Sequence, residues 1–273
     1  MILDVVSRRE DGFHDLAMVN LPIELYDVLS ISVAEEDSFL CNVHYLSPVE
    51  NNTIMLAINK LRQIYGFKEC FKVELIKYIP AQAGLGGGSS DAAMAIQLLN
   101  DLLGLKMDIK TKAKVAVQVG KDVPFCLSVK PALAKGTGEK LSFFPNNCDL
   151  SMLLVKPKTG IATKAAYEKL DENPIKHFPT TAMIEALKDN DYPQVMANLG
   201  NSFEDCAMEM VPEIATIKKE LSYLGFDASL LCGSGSCVMG FSQDEELLEK
   251  GLRYFRQKYP FVWKTKAKRS LNG

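Results

Sequence analysis

The chain has 273 residues, 47% of them hydrophobic and 24% charged, with a net charge of −3 at neutral pH. This is enough material for one large domain or two small ones, and the balance lacks the basic surplus that a nucleic-acid binder shows. The seven cysteines include no C-x-x-C pair, so neither a zinc framework nor a redox pair is suggested. No apolar run is long enough to span a bilayer, and MILDVVSRRE has no apolar stretch leading to a cleavage site, so a cytoplasmic protein with no membrane partner is expected.

In chain order, ILDVV reads as a strand and RREDG as a turn, and FHDLAMVNLPIELYDVLSISVAE alternates as strands do, interrupted at Pro22. Ile54, Ala57, Ile58, Leu61 and Ile64 recur at helical spacing and predict a helix from Asn52 to Tyr65, ended by Gly66. FKVELIKYIP reads as a strand closed by Pro80. A helix is expected from Ser89 to Leu103, with Ala92, Ala95, Ile96, Leu99 and Leu103 in one stripe and Gly104 as its stop. Another helix opens at Thr111 and ends before Gly120, and DVPFCLSVKPALAKGTGEKLSFF reads as short strands and turns. The character changes between Asn146 and Asp149, which divides the chain into domains 1–148 and 149–273.

The second part opens on SMLLVK, a strand ending at Pro157. Helices are expected over Thr163–Leu170, Thr181–Asp189 and Pro212–Leu224, and FDASLLCGSGSCVMGFS reads as strand, glycine-rich turn and strand. Glu245–Lys258 is amphipathic, and FVWKTKA is a last strand. Lys264, Lys266, Lys268 and Arg269 read as its solvated side rather than as a polyanion site. Helices and strands are interspersed in both parts, which argues against an all-α or all-β protein.

The stretch AQAGLGGGSSDAA, Ala81 to Ala93, joins a strand to a helix and concentrates Gly84, Gly86, Gly87 and Gly88 ahead of Ser89 and Ser90. The free amides of a helix N-terminus and its dipole favour an anion there, and glycines let phosphate oxygens approach the backbone. The serines are suited to capping the helix or to binding phosphate or Mg²⁺. Asp91 would repel a phosphate and is expected to point away from it. The loop lacks the lysine of a Walker motif, and Ser89 stands where a dinucleotide loop needs its third glycine. A tight turn with no ligand is the plainer alternative, but four glycines and two serines opening a good helix favour phosphate binding.

PAQAGLGGGSSDAA resembles the phosphate loop of the GHMP kinases. Further segments resemble that family's motifs in the same order: RREDGFHDL, VGKDVPF, AKGTGE, KPKTGIATKAAYEKLD and LLCGSGSCVMGF. The resemblance covers nearly the whole chain. It implies an α+β, two-domain fold whose N-terminal half is like a domain of ribosomal protein S5 and whose C-terminal half is ferredoxin-like. It also implies an ATP-dependent, Mg²⁺-requiring transfer of phosphate to a small alcohol, most like the members acting on a CDP-linked methylerythritol on the route to isoprenoid precursors.

By its residue type alone, Asp122 reads as a cap or turn residue ahead of Val123-Pro124. The KDVPF match implies instead the catalytic carboxylate that orients the acceptor hydroxyl and takes its proton. The resemblance places Pro80, Gly84, Leu85, Gly86, Gly87, Gly88, Ser89 and Ser90 around the phosphates of ATP. It places Asn52 and Lys77 at the adenine end, where a helix cap and an exposed strand lysine are the plainer readings. Phe13 and His14 are implied to hold the cytosine, with Tyr167 stacked on its opposite face and Thr163 close by. Ordinary half-buried aromatics and a turn-capping histidine are the alternatives. Gly233, Ser234 and Gly235 are implied to support the phosphate loop by packing. No metal ligand is assigned.

The family's first strand carries A-K-I-N, and Leu3-Asp4-Val5 matches the residues just after it, so that Lys and Asn have no counterpart in these 273 residues. A nucleotide-binding paralogue without turnover is one reading of that gap, and a GHMP kinase for a different small alcohol is a separate alternative.

Overall fold

The computed structural model describes residues 1–43 and 52–270. The elements are β1 (Ile2–Arg8), β2 (His14–Asn20), β3 (Val28–Ala34), β4 (Ser38–Cys41), α1 (Thr53–Tyr65), β5 (Cys70–Ile76), α2 (Gly87–Leu102), α3 (Ile109–Val119), α4 (Val123–Ser128), β6 (Ala132–Gly136) and β7 (Lys140–Phe143). There follow β8 (Ser151–Lys156), α5 (Thr163–Leu170), α6 (Thr180–Lys188), α7 (Tyr192–Ala197), β9 (Gly200–Asn201), α8 (Glu204–Met210), α9 (Glu213–Leu224), β10 (Ala228–Leu231), β11 (Val238–Phe241), α10 (Glu245–Arg256) and β12 (Phe261–Lys266).

These elements form two units: Met1–Glu24 with Ala81–Leu85 and Lys130–Gly273, and Leu25–Pro80 with Gly86–Val129. The units cut across the linear division at 148. The cause is strand pairing: β1 pairs with β2 on one side and, in parallel, with β9 on the other, through Ile2 opposite Gly200 and Leu3 opposite Asn201. Division into 1–148 and 149–273 remains a description of chain order.

The first unit holds a sheet in the order β7-β6-β2-β1-β9 and a second in the order β10-β11-β8-β12. In the second, every neighbouring pair is antiparallel. A strand, a helical crossover, a hairpin, a helix and a last strand make the succession of a ferredoxin-like sheet. β8 lies between β11 and β12, and all six of its residues are buried. Its Leu153 and Val155 join Phe203, Ile214, Leu221, Val238, Leu248 and Phe255 in the core. α10 shows why an amphipathic helix covers such a sheet: Leu248, Leu252 and Phe255 face inward from one stripe while Glu245, Glu246 and Arg256 stay outside it.

In the second unit, β3-β5-β4 form a three-stranded sheet. Along β5 the inward residues are Phe71, Val73 and Leu75, the period of two that a half-covered strand requires. They pack with Ile54, Ile58 and Leu61 of α1 and with Ala92, Ala95, Ile96 and Leu99 of α2. Asn52 caps α1, accepting from the amides of Ile54 and Met55, and Gly66 closes it in the left-handed conformation.

Several expected boundaries move. β5 stops at Ile76 rather than at Pro80 because side chains take the next backbone groups: Asn42 bonds the amide and carbonyl of Lys77, and Asp27 accepts from the amides of Tyr78 and Ile79. The segment VPFCLS, expected as strand and turn, is the helix α4, with Pro124 in its first turn where a missing N–H costs nothing. α7 and α8 lie in stretches for which the sequence predicts no element. Helix α2 begins at Gly87, two residues before the expected start.

Candidate active site

Residues 82–84 lie in the first unit and are held by the turn at 232–237 in that same unit. Ser236 donates its amide to the carbonyl of Gln82 at 3.1 Å, and Cys237 to that of Ala83 at 3.3 Å. Gly84 has φ +71°, and a β-carbon there would fall 1.7 Å from the carbonyl oxygen of Cys232. Gly233, at φ +50°, would in turn press a β-carbon to 2.7 Å from the carbonyl oxygen of Gly84. Two glycines are therefore required for two backbones to touch, the close approach that glycine uniquely allows. At the far side of the turn, the hydroxyls of Ser234 and Thr163, the latter opening α5, are 3.3 Å apart.

The chain enters the second unit at Gly86, which takes the N-cap position of α2 at φ +69° with no side chain capping the helix. The first helical bond runs from the amide of Ser90 to the carbonyl of Gly86 at 2.9 Å. The amides of Gly87, Gly88 and Ser89 therefore precede the helical ladder and have no acceptor within it. Ser89 and Ser90 sit inside the first turn and do not cap it, which removes one of their two expected uses. Thr53, the first residue of α1, donates its hydroxyl to the carbonyl of Gly88 at 2.7 Å and ties the two helix starts together. A 16-residue helix opening on uncapped amides fits a phosphate group.

Lys77 is not the exposed strand lysine of the plainer reading. Its ammonium lies between Asp27 and Asp91, 2.7 Å from the Asp91 carboxylate and in direct ion pair with Asp27. The three side chains are 7%, 4% and 7% exposed. Two carboxylates share one cation away from water. Burial pushes the Asp91 carboxyl up to about 7, against the opposing pull of Lys77, and the charge of Asp27 adds to the rise. Asp91 thus turns toward Lys77. Asp27 is a partner of Lys77 that the sequence does not reveal; it lies 50 positions from Lys77 with no motif around it.

Asp122 precedes α4 at φ −88° and makes no side-chain capping bond. The cap role suggested by its residue type is therefore not what its carboxylate does. It remains open to solvent, yet the protein surrounding it raises its pKa above the ordinary carboxylate value through desolvation. α4 packs on α2 in the same unit.

In the first unit, the buried His14 ring stacks on Tyr167, with centroids 4.7 Å apart and planes at 23°. Tyr167 meets Phe203 edge-on at 4.8 Å. The Nε2 of His14 lies 2.7 Å from Oδ1 of Asp171, at the end of α5, and Arg8 reaches the other oxygen at 3.4 Å. His14 therefore caps no turn. Phe13, beside it, is 54% exposed. The structure brings His14 and Tyr167 together as a stacked pair and adds Asp171, the last residue of the KPKTGIATKAAYEKLD segment, to which the sequence assigns no role.

Among the described residues, no group of three or more His, Cys, Asp or Glu side chains is placed to hold a metal. No helix there is long and apolar enough to cross a membrane.

Residues 52–129 match the GHMP kinases N terminal domain, and residues 183–260 match the GHMP kinases C terminal family. The chain is 37% identical over 259 residues to the 4-diphosphocytidyl-2-C-methyl-D-erythritol kinase of Lachnospira eligens, covering 94% of this chain and 90% of that protein. It is 38% identical over 263 residues to the kinase of the same name from Caldanaerobacter subterraneus subsp. tengcongensis, covering 96% and 91%. Among solved structures it is similar to a crystal structure of 4-(cytidine 5'-diphospho)-2C-methyl-D-erythritol kinase, with a TM-score of 0.80, 28% identity and coverage of 97% and 95%.

Proposed function

We propose that this chain, which belongs to the GHMP kinase family, phosphorylates the 2-hydroxyl of 4-diphosphocytidyl-2-C-methyl-D-erythritol with ATP as donor, in the formation of isoprenoid precursors. The observation that carries this reading is the identity of more than a third, over nearly the whole chain, to kinases bearing that substrate's name.

The site residues suit the chemistry. The uncapped amides of α2, flanked by Gly84, Leu85, Gly86, Gly87, Gly88, Ser89 and Ser90 and preceded by Pro80, are the seat for the ATP phosphates. Asn52 and Lys77 act at the adenine end through the segments they anchor, since the side chain of Asn52 caps α1 and the ammonium of Lys77 is held by carboxylates. Asp122 orients the acceptor hydroxyl and takes its proton; a carboxylate of raised pKa is a better base than an ordinary one. His14, Phe13, Tyr167 and Thr163 hold the cytidyl end. Mg²⁺ on the phosphates of ATP offsets their charge, and such an ion needs few protein ligands because it keeps waters and binds phosphate oxygens. The protein works in the cytoplasm on a small-molecule substrate. The matched relatives bear the name of this kinase, which favours neither a paralogue without turnover nor a kinase for another alcohol.

The test is ADP release by the purified chain with ATP and Mg²⁺. Release is expected to require the CDP-linked methylerythritol and to stay near background with methylerythritol, homoserine or mevalonate. Turnover with one of the latter, and none with the cytidyl compound, would overturn the reading.

A further inference from the structure

We infer that Asp171 is a positioning residue that fixes the proton on His14 and thereby makes the base site prefer cytosine to uracil; the inference rests on the cytidyl substrate proposed above. The geometry that carries it is the 2.7 Å approach of Oδ1 of Asp171 to Nε2 of His14. An ionised carboxylate can only accept a hydrogen bond, so Nε2 must carry the hydrogen. In the neutral ring, Nδ1 is then a lone-pair acceptor. Nothing among the described residues takes up Nδ1. The ring itself has little freedom, since the His14 side chain is 5% exposed, Tyr167 covers one face at 4.7 Å, and Arg8 holds the second oxygen of Asp171.

A fixed acceptor selects a donor. On cytosine, the group at position 4 is an amine that donates, whereas the carbonyl in that place on uracil only accepts. A cytosine whose amine meets Nδ1 makes a hydrogen bond. A uracil in the same pose sets lone pair against lone pair. A site built around a hydrogen bond rejects the analogue that cannot make it far more strongly than an apolar pocket rejects a small change of shape. Without Asp171 the ring is free to move its hydrogen to Nδ1, and the distinction weakens.

Two measurements on the full chain test this. Long-range ¹H–¹⁵N spectra of the free protein report the tautomer of each of its three histidines, with His14→Gln used to assign the signal. The wild type is expected to show Nε2–H on His14, and Asp171→Ala and Asp171→Asn are expected to shift toward a mixture. Asp171→Glu is expected to restore the wild-type pattern in part. In turnover, the ratio of kcat/KM for the CDP-linked to the UDP-linked methylerythritol is expected to fall by roughly tenfold to a hundredfold in Asp171→Ala, with KM for the cytidyl substrate affected more than kcat. Hydrogen on Nδ1 in the wild type, or an unchanged tautomer and ratio in both Ala and Asn variants, overturns the proposal. Wild-type protein that turns over neither substrate overturns the functional reading and the base preference with it, while the spectra still decide whether Asp171 sets His14.

Discussion

The Lys77 ammonium lies 2.7 Å from the Asp91 carboxylate with both side chains 7% exposed, and Asp27 shares the same cation. This cluster joins the end of β5 to the first turns of α2, so it holds the backbone at the glycine-rich opening of that helix. Removing the cation while leaving both buried carboxylates is costly, typically about 3–5 kcal/mol. Lys77→Met is expected to lower stability by about that amount and to weaken nucleotide binding, measured by urea denaturation and calorimetry. The double change Lys77→Met with Asp91→Leu is expected to recover part of the loss.

The same cluster predicts a pH dependence. The folded-state pKa of Asp91 is raised from 3.8 to about 7, so the folded chain binds that proton more tightly than the unfolded chain does. Its contribution to stability is fully present below pH 3.8 and is lost as the pH rises through about 7. Between pH 5 and 8, the wild type is expected to lose more thermal stability than Asp91→Asn, whose side chain does not titrate. Equal slopes for the two proteins would show that Asp91 titrates as an ordinary carboxylate.

The two glycines flanking Leu85 are expected to differ. A β-carbon at Gly84 meets the carbonyl oxygen of Cys232 at 1.7 Å, whereas at Gly86 it meets nothing within 4 Å. Both have positive φ, so alanine is strained at either, by about 1–2 kcal/mol from backbone conformation alone. Gly86→Ala is expected to cost about that much. Gly84→Ala must also push two backbones apart and is expected to lose folded protein or to show a far lower Tm. Circular dichroism melts of the two variants decide it.

Phe13 and Tyr167 separate packing from binding. Phe13 is 54% exposed, and Phe13→Ala is expected to change stability by less than about 0.5 kcal/mol while raising KM for the cytidyl substrate. Tyr167 packs on His14 and Phe203, and Tyr167→Ala is expected to lower both stability and affinity.

Much of the fold is legible in the sequence. The exact span of α5, the closing of β8 before Pro157 and the glycine-rich turn between β10 and β11 follow from strong local signals, namely helical spacing, proline and glycine. α4 was misread because an apolar run of six residues carries no period of its own, and the proline that looks like a strand breaker is equally a first-turn residue. The glycine-rich opening of α2 was readable because it is one continuous stretch. Its supports were not: Asp27 reaches Lys77 across 50 positions and Asp171 reaches His14 across 157, and no pattern local to either residue records such a pairing. The burial of Lys77 follows from that pairing alone, which is why a lysine at the end of a strand reads as solvated until its partners are seen.

The central claim is that Asp122 activates the hydroxyl that receives the phosphate of ATP. Its carboxylate caps no helix, so Asp122→Asn is expected to melt within a degree or two of the wild type and to bind ATP unchanged. The direct measurement is ³¹P NMR of the product formed from ATP and the CDP-linked methylerythritol, run with both proteins across pH. The wild type is predicted to give a new phosphomonoester signal, with an acid limb in kcat/KM whose midpoint lies above 3.8 because desolvation raises the Asp122 pKa. Asp122→Asn is predicted to form that signal at least about a hundredfold more slowly, with no such limb. A phosphomonoester appearing at the wild-type rate in the Asn variant would contradict the account.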